Sequence, residues 1–384
     1  MQRVPWVVLA VFAASACVGT TSEDFVVAGN EPEEEVNSLA VPSTSALPGG
    51  PAAYAACVSA LEPAAQVAQL LMVLVGSPSL AGGVVDEGVV GGYGLVGNQP
   101  DDVGDQVAAV NEANQSPIPL LVASDEEGGT VQRLRSVLGP YPSARDVAAT
   151  MTPDEAGASY GEYAGEVRGL GINTVFGPVL DVGAGAGIGS RSYSDDVQTV
   201  VDYGGAVISS IEAQGLNAVA KHWPGLGSGD ADSHVASATV SSLDELRARD
   251  LVPFQTVIDE GLPAILVSHA IVPGLTDGGP ASLSSAAIAG ELRGQQGFDG
   301  VVITDSLSMS AVTKGRTQAE AARQSLAAGA DIALVEGTDT AREAHQELLA
   351  ALSDGTLSAE RVEQSVGRVM AFKRVDPDTC EGPA

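Results

Sequence analysis

Residues 221 to 234 read "KHWPGLGSGDADSH". A lysine, two histidines and two aspartates crowd around a proline and several glycines, in a chain with only three lysines and four histidines. The Pro-Gly and Gly-x-Gly spacing predicts a long irregular loop. On that loop Asp232 and His234 stand two residues apart. A carboxylate so placed can accept the imidazole Nδ1 hydrogen bond, orient the ring and raise its basicity, which makes an acid/base pair. The competing reading is a surface loop with an incidental histidine. Lys221 and His222 precede the loop at the end of an apolar run. Neighbours on a strand point to opposite sides, so both reach one pocket only at a bulge or a strand end.

Other unusual polar residues also end apolar runs: Asp125, Asp181, Ser268-His269, Asp305 and Glu336. Two chemistries compete for such a set. In a metal-dependent hydrolase, His222, His234, His269 and Asp305 would be ligands. Against it, no His-x-His ends the first apolar run and no tight ligand pair occurs elsewhere. In double displacement at a sugar, a carboxylate attacks the anomeric carbon. A second group protonates the leaving oxygen and then activates water. A histidine in that second role repels the nucleophile less than a second carboxylate would.

These residues need elements that bring strand ends together. Apolar, β-branched runs at 70–76, 88–97, 118–125, 172–181, 216–222, 263–270, 300–306 and 330–337 read as strands buried on both faces. Amphipathic stretches lie between them, at 101–114, 154–170, 195–214, 242–260, 284–296, 317–329 and 340–352. Several of these open on Ser, Thr or Asp and close on Gly, as helices do. Eight alternations predict an α/β fold, a (β/α)8 TIM-type barrel, with the polar residues on its catalytic rim. An open doubly wound sheet is the rival, but "GSPSLAGG" after the first run lacks its glycine spacing. The first βα unit is irregular either way.

The 384 residues carry a net charge of -31, which leaves no basic patch for nucleic acid or for anionic membrane. One arginine, an apolar run from Val7 to Ala14 and the box "ASAC" open the chain. That run is too short to span a bilayer and predicts an export signal over 1–17. Cys17 is then the lipidated residue of an envelope lipoprotein, or the signal is simply cleaved and the protein secreted. Residues 18–52, rich in Ser, Thr, Glu and Pro, are expected to be a disordered tether to a single catalytic domain at 53–384. In an oxidising compartment, Cys57 and Cys380 at the two ends of that domain are expected to form a disulfide. Two independent thiols are the alternative.

Long blocks of the folded region resemble glycoside hydrolase family 3, in its single-domain β-N-acetylglucosaminidase branch. They are "SDEEGGTVQRL" (124–134), "NTVFGPVLDV" (173–182), "IGSRSYSDD" (188–196), the 221–234 loop, "ITDSLSM" within 281–309, and "AARQSLAAGADIALV" (321–335). The resemblance implies that Asp305 is the nucleophile, His234 the acid/base and Asp232 its dyad partner. It implies that Asp125, Arg133, Arg191, Lys221 and His222 hold the sugar. The chain departs from the family's pattern at Thr130, where arginine is usual, and at Leu226, where histidine is usual. The expected activity is a retaining exo-β-N-acetylglucosaminidase acting on peptidoglycan or chitin-type fragments. It needs no cofactor or metal, has a small carbohydrate as its partner, works as a monomer and meets the membrane only through a lipid anchor. A phosphorylase or β-glucosidase of the same family, or a non-catalytic sugar-binding lipoprotein, are the alternatives.

Overall fold

The computed structural model describes residues 50–231 and 238–383; Cys17, Asp232 and His234 lie outside them. Eight parallel strands form the central sheet. They are β1 (Leu71–Val75), β2 (Gly92–Leu95), β3 (Leu121–Ser124), β6 (Thr174–Val179), β7 (Asn217–Trp223), β8 (Ala264–Val267), β9 (Val301–Thr304) and β10 (Ala333–Glu336). Each lies inside, or within one residue of, an apolar run that predicts it. Nearly every residue in them is buried, as strands covered on both faces require. The order β10-β1-β2-β3-β6-β7-β8-β9 closes through a bridge between Ile303 and Ile332, giving the α/β barrel.

The closing seam is built differently from the other ladders. At its centre Leu334 N–H donates to the Thr304 hydroxyl. Below, the buried Asp331 accepts from the Val302 N–H, at 2.9 Å, and from Ser365. Arg293 and Arg361 also contact its carboxylate, at 2.5 and 3.0 Å, with Arg368 at 3.6 Å.

The helical layer follows local cap chemistry. Pro153–Gly169 starts with a Thr152/Glu155 capping box, and Gln318–Ala328 with Thr317/Glu320. The expected helix at 242–260 is two helices, Leu243–Ala248 and Leu251–Asp259. Pro253 explains the break. In one continuous helix its ring would meet the carbonyl of Arg249, four residues back, whereas it is tolerated in a new first turn. The first βα unit is irregular, with a 3-10 turn at Pro78–Ala81 and a short helix at Gly82–Asp86. A last helix, Ala359–Phe372, packs against the opening segment Pro51–Ala60. Cys57 and Cys380 are bonded beside it, with 5.3 Å between their Cα atoms.

Two features of the upper face position the site. After β3 the chain folds into a small antiparallel hairpin, β4 (Glu126–Gly128) with β5 (Val131–Gln132). Its turn runs through Gly128 and Gly129 at φ 81° and 57°, a region that glycine enters without steric cost. Beyond β7, Gly227 lies against the backbone after β6. A Cβ there would sit 1.8 Å from the Val182 carbonyl oxygen.

Candidate active site

Successive residues at the end of β3 face opposite ways. Glu126 turns inward, away from the pocket. Its Oε1 accepts from the Ser124 hydroxyl (2.5 Å) and the Leu134 N–H (3.2 Å), and its Oε2 from the Tyr163 hydroxyl (2.5 Å). Tyr160 donates to its carbonyl. These bonds fix the hairpin, so its neighbours Asp125 and Glu127 project into the pocket. Burial pushes the Glu126 carboxyl up to about 7.

Lys221, at the end of β7, lies between those two carboxylates. Its Nζ is 2.5 Å from Asp125 and 2.6 Å from Glu127. Arg133 holds the other oxygen of Asp125 at 3.0 Å. Arg191 grips Glu127 with two parallel bonds of 2.6 and 2.8 Å, the fork geometry that suits guanidinium to carboxylate. Its Nη2 also lies 3.0 Å from His222 Nε2. Arginine can only donate, so Nε2 accepts and Nδ1 carries the proton given to Asp181, 2.7 Å away. The second oxygen of Asp181 accepts the Leu226 N–H at the base of the 225–231 loop. One line of alternating partners thus runs from Arg133 to Leu226, in the segment that precedes Asp232 and His234 in the sequence.

The electrostatics follow from this pairing. Burial alone would raise Asp125, but Lys221 and Arg133 hold it well below the usual aspartate range. Burial likewise opposes ionisation of Glu127, yet Lys221 and Arg191 bring it down to about 2. Burial disfavours the Lys221 ammonium, and the two carboxylates overcome it and raise the lysine. The charges are therefore fixed before substrate arrives. Removing one partner would strand another in a low-dielectric site.

Asp305 follows β9 in the same pocket, a cavity of about 210 Å³. Its N–H donates to the Val267 carbonyl, and the Ser306 N–H donates to its Oδ1 at 2.7 Å. Below it the buried His269 contacts Ser282 through Nδ1 and the Ser306 carbonyl through Nε2. Both ring nitrogens of His222 and of His269 are thus engaged by protein groups. This arrangement disfavours the metal-ligand reading of those two residues.

Of the residues singled out in the sequence, Asp125, Arg133, Arg191, Lys221, His222, Asp305 and Glu336 line this one pocket. Asp181 and His269 end up behind it as supports. Register shifts between Ala220 and Trp223 accompany the turn of both Lys221 and His222 toward the site. Glu127 escaped the sequence reading, although it lies inside the quoted "SDEEGG" block. A charged residue directly before two glycines was the available signal. Thr130 is exposed at the hairpin tip and Leu226 packs in the core. Neither departure from the family pattern lines the pocket.

Comparison with known proteins agrees with this geometry. Residues 64–372 match the glycosyl hydrolase family 3 N terminal domain. The β-hexosaminidase LpqI of Mycobacterium tuberculosis is 38% identical over 386 residues, covering 96% of this chain and 97% of that protein. A family 3 glycosyl hydrolase structure from Mycobacterium smegmatis superposes with a TM-score of 0.78 at 35% identity, covering 85% of this chain and 99% of that one. A family 3 β-N-acetylglucosaminidase structure from Paenibacillus sp. gives a TM-score of 0.78 at 33% identity, over 85% of this chain and 64% of that one. The chain belongs to glycosyl hydrolase family 3.

Proposed function

We propose that this hydrolase is a retaining exo-β-N-acetylhexosaminidase that removes terminal β-linked N-acetylglucosamine through a covalent glycosyl-aspartate. Asp305 attacks the anomeric carbon, forming a C–O bond as the glycosidic C–O bond breaks. His234, oriented by Asp232, gives its proton to the departing oxygen. It then takes a proton from the water that cleaves the ester. Asp125, Arg133, Arg191, Lys221 and His222 hold the ring hydroxyls and the N-acetyl group. The observation carrying this reading is the convergence of Asp305 and the ion-paired set in one pocket.

Water is favoured over phosphate as the acceptor. Each of Arg133, Arg191 and Lys221 already faces a carboxylate, and phosphate would need an uncommitted cation. Export under the N-terminal signal, with lipid on Cys17 or simple cleavage, places the substrates among peptidoglycan or chitin-type fragments in this reading. The test is labelling with a 5-fluoro N-acetylglucosaminyl reagent followed by peptide mapping. The label is expected on Asp305, and Asp305→Ala is expected to abolish both labelling and turnover while the fold persists. A label on another side chain would overturn the assignment.

A further inference from the structure

Glu336 ends β10 and lines the same pocket as Asp305. It differs from the two deeper carboxylates there. Asp125 and Glu127 are each clamped by two cations, whereas Glu336 is exposed and forms no ion pair among the described residues. Its position is nevertheless built. The Ser308 hydroxyl donates to its Oε2 at 2.6 Å and is bonded in turn to the Ser306 hydroxyl at 2.8 Å. Its own N–H donates to the Gln318 side chain at 2.9 Å. The carboxylate is therefore held at the mouth, one residue pair away from Asp305.

The pocket is thus graded. The buried end, around Lys221 and Glu127, offers neutralised charge suited to a ring of hydroxyls. Among the described residues, the open end offers whatever protrudes a carboxylate with no ion-pair partner. We infer that Glu336 is a specificity-determining residue that selects departing groups by charge, favouring a sugar with a free protonated amine and disfavouring one with a carboxylate. The preferred substrate would be N-acetylglucosamine linked to an unacetylated amino sugar. This rests on the exo-hexosaminidase reading above. The net charge of -31 adds a long-range field of the same sign. At a wet rim, a unit charge a few ångströms away changes an equilibrium by only about three- to tenfold.

The experiment uses three aryl N-acetyl-β-glucosaminides of matched leaving-group acidity. Their aglycones carry an aminomethyl, a hydroxymethyl or a carboxymethyl substituent. For the unaltered protein, kcat/KM for the ammonium substrate is expected to exceed that for the carboxylate by about three- to tenfold, and the gap to shrink as salt is added. Glu336→Gln should collapse the ratio, and Glu336→Lys should reverse it. A ratio that is flat in the unaltered protein, or that survives both substitutions, overturns the inference while leaving the hexosaminidase reading intact. Failure to turn over even the neutral substrate would overturn that reading, and this inference with it.

Discussion

Glu126 is a residue whose ionisation works against the fold. Its carboxyl is buried among Ser124, Tyr163 and the Leu134 N–H, beside the negative Asp125, and burial lifts it to about 7. A carboxyl raised above its unfolded value stabilises the native state fully below the unfolded range. That contribution is lost as pH rises through about 7. Glu126→Gln keeps the acceptor for Ser124 and removes the charge. It is expected to raise stability by up to about 3 kcal/mol above pH 7, with the gain vanishing near pH 4.5. Urea unfolding at pH 5 and pH 8.5 measures this; an equal change at both values would contradict it. The same argument separates Glu126 from its neighbours. Asp125 and Glu127 are lowered, so their contributions persist at neutral pH and are lost only as pH falls toward their folded values.

At the scale of elements, backbone packing under residues 225–231 is expected to decide whether the proposed acid/base group is delivered. The loop leaves β7 with Gly227 against Val182, and Asp181 ties down the Leu226 N–H. Gly227→Ala forces a Cβ into the Val182 carbonyl, and no flexible side chain is there to yield. The expected result is a fall in kcat of about a hundredfold or more, the scale of a lost acid/base contribution. The far-UV spectrum should be retained, because the barrel below is untouched. Normal kcat in that variant would show that the loop root does not position the group.

This scale also shows what could be read in advance. The barrel strands were legible because burial on both faces leaves continuous apolar runs. The hairpin Glu126–Gln132 was not, being short, polar and dependent on two left-handed glycines. The split at Arg249–Asp250 was signalled by Pro253 and went unread, as did the final helix, whose Val362, Val366 and Val369 lie on one buried face. Asp305, Lys221, His222 and Arg191 were legible as polar endings of strands or as parts of long blocks. Glu127 and the support from Tyr160 and Tyr163 depend on contacts between distant segments, which local pattern does not carry.

For the whole molecule, the Cys57–Cys380 bond joins the helix Ala55–Ala60 to the segment that follows the last helix, across 323 residues of sequence. The opening segment contributes the buried Tyr54 against the final helix, so the bond clips a real packing surface. Replacing both cysteines with serine is expected to cost about 2–5 kcal/mol in denaturant unfolding. The pocket lies at the other end of the barrel, so kcat/KM at 25 °C should hold. Loss of activity without loss of stability would contradict that separation.

Asp305 and Glu336 stand at the ends of β9 and β10, the two strands joined by the bridge between Ile303 and Ile332. The clasp beneath them is ionic, Asp331 gripped by three arginines. Burial would raise its carboxyl, but those guanidinium groups bring it to about 2. The clasp is fastened throughout the ordinary pH range and slips only as acidity approaches that value. Protonating that clasp at low pH would therefore loosen the joint beneath Asp305, the proposed nucleophile, and Glu336.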